Sequence, residues 1–168
     1  TLDDYNSGAI DGVSFGIITT YPSSDSYIGT KSIKMETFLT PNNDTMFGYF
    51  YTGDPDNMKP GQAVSLPNVD SLVGYYKSNL LPNDSAIVLC EIFKSGAQQG
   101  GGTFYLKGVQ STWKRFAFPI NAAMADSMLF AIAGGNPLNN FPGIPGSWLM
   151  IDNLQLKALN GIMAPILN

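Results

Sequence analysis

The 168-residue sequence has no histidine, one cysteine and one arginine. Without histidine, Ser-His-Asp and Cys-His nucleophilic catalysis are excluded, and the acid–base groups left are carboxylates, lysines and tyrosines. A lone cysteine can close no internal disulfide and cannot carry a cysteine-rich zinc site. Cys90 lies in an apolar run and reads as a small buried hydrophobe. Charged residues are 13% of the chain, about half the usual share, so Asn, Ser, Thr, Gln and Gly must keep the surface wet. The net charge is -4 and the isoelectric point about 4.5. An acidic surface with Arg115 as its single arginine repels phosphate backbones, which argues against nucleic acid as a partner. No apolar run approaches the ~18 residues that a spanning helix needs. The start, Thr1-Leu2-Asp3-Asp4, carries no basic n-region with an apolar stretch behind it.

What is present is period-two alternation broken by clusters of Gly, Pro, Asn and Asp. It predicts strands over 13–20, 30–38, 46–52, 63–66, 71–77, 85–94, 102–107, 113–120, 127–133 and 147–157. A single helical turn is expected at 121–125, and a mobile connection at Gly100-Gly101-Gly102. Residues 139–146, with Pro142, Gly143, Pro145 and Gly146, must form a loop. The expected fold is all-β: a two-sheet antiparallel β-sandwich with jelly-roll topology, as one domain over 1–168. The apolar tail 162–167 is expected to fold back on the body or to touch another chain.

Alternation also sorts faces. Phe116, Phe118 and Ile120 form the better core face of their strand, which turns Trp113 and Arg115 towards solvent or ligand. Along 85–94, Ile87, Leu89, Glu91 and Phe93 share one side, while Ala86, Val88, Cys90 and Ile92 share the other. With both sides apolar, this strand is central, or one of its faces is a ligand cleft.

Five segments occur in order: Ser71-Leu72-Val73-Gly74-Tyr75-Tyr76-Lys77, Asn83-Asp84-Ser85-Ala86, Trp113-Lys114-Arg115-Phe116, Ala125-Asp126-Ser127-Met128 and Gly146-Ser147-Trp148-Leu149-Met150-Ile151-Asp152-Asn153-Leu154. Together they resemble the carbohydrate-metabolism domain of surface proteins from gut Bacteroidetes, a family similar in fold to jelly-roll carbohydrate-binding modules. The resemblance covers about residues 28–157. It implies a two-sheet jelly roll, a place outside the cell or on the outer-membrane surface after removal of a signal or lipoprotein leader, and a link to glycans.

Sugar recognition needs aromatic faces for the C–H patches of a pyranose and planar polar groups for its hydroxyls. Trp113, Tyr75, Tyr49, Tyr51, Tyr105 and Trp148 are the stacking candidates; Glu91, Arg115, Lys77, Gln98 and Asn153 are the polar ones. The expected ligand-binding set is Trp113, Arg115, Tyr75, Lys77, Glu91 and Tyr105, with Lys77 as an ion-pair partner for Glu91 if their strands are neighbours. A polysaccharide or oligosaccharide is the expected partner; the alternative is a structural or adhesive domain that holds a neighbouring domain of the same surface protein. A glycosidase needs two carboxylates about 5–5.5 Å or about 6.5–9.5 Å apart. The only two glutamates, Glu36 and Glu91, lie on different strands, so no enzyme activity is expected unless they meet in space. The resemblance also implies a structural Ca²⁺ ion held by Asp152 with an N-terminal acid, Asp3, Asp4 or Asp11; the other reading of Asp152 is an acceptor of hydrogen bonds where the strand bends.

Overall fold

The computed structural model describes residues 6–7, 18–54, 57–136 and 143–166. Among them lie eleven strands and no helix: β1 (Asn6–Ser7), β2 (Thr20–Ser23), β3 (Ser32–Leu39), β4 (Thr45–Phe47), β5 (Tyr49–Thr52), β6 (Gln62–Asn79), β7 (Ala86–Lys94), β8 (Ala97–Leu106), β9 (Val109–Ala133), β10 (Trp148–Ala158) and β11 (Met163–Pro165). All pairings are antiparallel.

The strands make two layers. One runs β2-β3-β10-β6 and ends on the first part of β9. The other runs β8-β7, then the last part of β9, then β5-β1. The architecture is thus the expected antiparallel jelly-roll β-sandwich. β9 belongs to both layers, and its chemistry explains how. The two strands expected at 113–120 and 127–133 are one, and so are those at 63–66 and 71–77; the expected helical turn at 121–125 is strand. In each long strand one asparagine adopts a left-handed conformation, Asn68 at φ 50 and Asn121 at φ 56. They flank the Val69–Ala122 pair diagonally, one on each strand, so both ladders bend at the same level. Asparagine tolerates that region better than other non-glycine residues, so the ladder bends and slips register without ending.

Gly48 divides the strand expected at 46–52 into β4, which pairs with β3, and β5, which pairs with β9. A Cβ at Gly48 would run into the carbonyl oxygen of Thr19. The three glycines Gly100–Gly102 lie inside β8 and are not a mobile connection. Of the strand expected at 13–20, residues 13–17 lie outside the described residues, as do 139–142 of the expected loop. The tail folds back as foreseen: β11 pairs with β10, and Ile166 is buried, its N–H donating to the Leu154 carbonyl at 2.7 Å.

Between the layers, Met35, Leu72, Leu149 and Leu154 meet Phe50, Val88, Phe130 and Ile132. Phe116 and Phe118 point inward as their alternation required, and Phe118 stacks on Phe104 with centroids 4.4 Å apart. Cys90 is fully buried in the same core, and desolvation pushes its thiol pKa up to about 12, so it stays protonated and inert.

The bend makes a direct prediction. Asn121→Val should cost about 1–3 kcal/mol in urea unfolding, because a β-branched residue fits a left-handed backbone badly, while Asn121→Gly should be nearly neutral.

Candidate functional site

The outer face of the β8-β7-β9-β5 layer can be laid out row by row from the strand register. One row is Tyr49, Ala133, Ile87, Tyr105; the next is Tyr51, Ala131, Leu89, Thr103; a third places Leu129, Glu91 and Gly101 side by side. Large rings therefore stand on β5 at one flank, and Tyr105 stands on β8 at the other, with small alanines on β9 between. The result is a groove of about 640 Å³ whose walls include Tyr49, Tyr51, Ile87, Leu89, Glu91 and Asp54. The rings of Tyr49 and Tyr51 are nearly parallel, 11° apart with centroids at 6.0 Å. They form a half-buried aromatic wall.

Glu91 is the polar centre of this groove. Its Oε2 accepts a hydrogen bond from Gln98 Nε2 at 2.5 Å, yet the residue is only 6% exposed. Burial holds its carboxyl above the ordinary glutamate value of 4.5, with the Gln98 amide pulling the other way. Gly101, paired with Glu91, makes the room: its φ is 135, and a Cβ there would run into the Cys90 carbonyl oxygen and Glu91 Oε2. The glycine run expected to be mobile is instead the floor beneath a carboxylate. The expected Glu91–Lys77 ion pair does not form, because β6 and β7 are not neighbours. Asp54, at the rim, spends both oxygens on its own turn, accepting from Asn57 N at 3.1 Å and Asn57 Nδ2 at 2.8 Å.

Four of the expected ligand residues lie elsewhere. Trp113, Lys77, Tyr75 and Arg115 share the outer face of the opposite layer, on β9 and β6. Lys77 Nζ reaches Asp25 at 2.8 Å and lies 5.3 Å from the Trp113 ring centroid, while Trp113 Nε1 donates to Asp25 at 3.1 Å. The Lys77 ammonium, followed by the Trp113 indole, draws the Asp25 carboxyl below its usual pKa. Tyr27 covers Tyr75, with ring centroids at 3.5 Å and planes 12° apart. A second set repeats the pattern: Lys34 pairs with Glu36 at 2.7 Å and sits 5.3 Å from the Trp148 centroid, and the Tyr21 hydroxyl donates to Glu36. Glu36 thus stands on this face and Glu91 on the other, so the two glutamates do not meet. These rings and charges are largely occupied with one another.

Asp152 is buried and acts as a tether. Its Oδ2 accepts from the backbone N–H groups of Tyr27 (2.6 Å) and Ile28 (3.0 Å), and its Oδ1 accepts from Asn153 N–H (2.7 Å). Three donors aimed at one carboxylate present positive ends of dipoles where a cation would have to bind. Among the described residues no group of three or more His, Cys, Asp or Glu side chains could hold a metal. These donors fit a hydrogen-bonded anchor better than calcium; Asp3, Asp4 and Asp11 lie outside the described residues.

Tyr49 and Tyr51 were visible as aromatics in alternation, but nothing local ranked them above Trp113. The signal that sets them apart is the pair Ala131 and Ala133, small residues on the facing positions of β9.

No family model matches the chain, and no curated protein does. Among solved structures, a proposed glycoside hydrolase from Bacteroides thetaiotaomicron is similar, with TM-score 0.63 and 14% identity over 92% of this chain; the chain spans 62% of that one. The enzymatically active domain of tailspike protein 4 from bacteriophage CBA120 is similar with TM-score 0.56 and 9% identity, covering 99% of this chain and 20% of that one. A family 16 carbohydrate-binding module aligns more loosely, at TM-score 0.46 and 17% identity over 82% of this chain and 84% of its own. At these identities the likeness of the first two is one of fold.

Two outcomes follow. Asp152→Ala leaves three amides without their acceptor and should lower stability by about 2–4 kcal/mol, with loss of the near-ultraviolet circular dichroism of the Tyr27–Tyr75 stack. For Glu91 the folded pKa lies above the unfolded one, so the folded state binds more protons and stability falls as pH rises from about 4.5 through the folded value. Glu91→Gln should flatten that part of the stability–pH curve, as read by thermal melts.

Proposed function

We propose that this chain is a non-catalytic glycan-binding module of a secreted or surface-anchored protein, with its saccharide lying in the groove of the β8-β7-β9-β5 layer. The observation that carries the reading is the groove walled by the parallel Tyr49 and Tyr51 rings beside the small alanines of β9, with Glu91 in it. A sugar chain presents C–H patches to such a wall and buries them there, while its edge hydroxyls donate to Glu91 and exchange hydrogen bonds with Gln98. The preset carboxylate on its glycine floor adds direction without having to be ordered on binding.

The absence of catalysis in this reading rests on where the acids stand. Glu36 and Glu91 occupy opposite faces, and Asp54 is committed at both oxygens to Asn57. The proposed glycoside hydrolase that shares the fold is named for sugar chemistry, which supports a saccharide partner for this frame but assigns no reaction to this chain.

Affinity electrophoresis through immobilised polysaccharides, followed by calorimetry on the ligand retained, tests the proposal. Tyr51→Ala should weaken binding about tenfold or more and leave the melting temperature nearly unchanged. Trp113→Ala should leave binding intact and cost about 1 kcal/mol of stability through its lost contact with Lys77. The reverse pattern, with retention lost only in Trp113→Ala, would move the site to the opposite face. Release of reducing ends by the wild-type protein would overturn the non-catalytic reading.

A further inference from the structure

The charges of this chain are unevenly distributed between its two outer faces. Among the described residues, the groove is lined by two acids, Glu91 and Asp54, and by no lysine or arginine; Lys59, exposed in the turn bridged to Asp54, is outside the lining. The strand segments that build it repeat the bias: β5, β8 and residues 127–133 of β9 contain no cation, and β7 has one only at its last residue. That residue, Lys94, is turned to Asp126 at 3.6 Å. β1, which borders β5, belongs to a stretch of sequence, 1–30, without Lys or Arg. Lys34, Lys77 and Arg115 stand instead on the opposite layer.

We infer that the groove selects uncharged glycan chains and rejects uronate-bearing or sulfated ones. The inference rests on the groove being the saccharide site. An anionic ring seated on the tyrosine wall would have to place its carboxylate or sulfate beside Glu91, in a partly desolvated cleft with no lysine or arginine among its described lining residues. Like charges brought together there repel strongly, because water screens them poorly. A neutral ring meets no such cost: its hydroxyls are donors, and a carboxylate is an acceptor with lone pairs to spare beside the one Gln98 fills. The same reasoning separates this groove from anion-reading surfaces, which set arginine or lysine against their ligands. Burial rather than an opposing charge dominates the Glu91 environment, in keeping with the lack of a nearby base.

The test is a paired panel at low ionic strength and neutral pH. Hydroxyethylcellulose, xylan, mannan and linear galactan are set against carboxymethylcellulose, polygalacturonate and alginate. The expected result is retention by at least one neutral polymer, with no acidic polymer binding within about tenfold of it. High salt and Glu91→Gln, each checked for folding by circular dichroism, should both narrow that gap. Acidic polymers bound as tightly as neutral ones, with Tyr51→Ala still abolishing retention, would overturn the charge selection and leave the groove reading standing. Retention of no polymer in the panel would overturn both.

Discussion

One pair of strands, β6 and β9, bends together from one layer into the other, and the rest of the molecule depends on it. β9 runs from Val109 to Ala133, pairing with β6 from Val109 through the bend to Met128, and beyond it with β7 and β5. A strand can do this only if it bends without breaking its ladder. The left-handed Asn68 and Asn121, which flank the Val69–Ala122 pair of β6 and β9, supply that bend. Because both layers share a strand, their separation and relative twist are fixed together, and the apolar inner faces close on each other with Phe50, Phe130, Leu72 and Leu154 at the contact.

The groove is a consequence of the same geometry. The last part of β9 is central in its layer, so Ala131 and Ala133 fall in the middle of the outer face, and the larger side chains of β5 and β8 fall at its edges. Concavity here is a matter of side-chain size across the register: the rings of β5 stand beside the methyls of β9, with Ile87 and Leu89 of β7 on the far side. Glu91 can sit in the floor because its neighbour on β8 is glycine, and because a paired amide, Gln98, reaches it across a bulge. A buried acid of this kind lowers stability at neutral pH, a cost that proteins tolerate where a ligand is to be met.

The opposite face solves a different problem. Its lysines, acids and rings interlock in two similar sets, Lys77 with Asp25 and Trp113, and Lys34 with Glu36, Tyr21 and Trp148. Such sets cover a sheet surface with solvated polar groups and discourage pairing with other chains. Asp152, beneath them, fastens the turn at Tyr27 and Ile28 to β10. The residue types that make good sugar platforms also make good sheet cover, and a list of aromatics does not distinguish the two uses.

Composition and alternation alone determined the fold class, the inward course of Phe116, Phe118 and Ile120, the burial of Cys90 and the exclusion of histidine-based catalysis. Each depends only on residue identity or on the two-residue repeat of a strand, which is local. Which strands lie beside which was decided by tertiary structure, because pairing joins residues far apart in the chain. That is why 63–66 and 71–77 proved to be one bent strand, and why Lys77 found Asp25 rather than Glu91. It is also why Tyr49 and Tyr51, and not Trp113, border the groove: the space before them is made by two alanines some eighty positions away, on a strand the sequence does not show to be their neighbour.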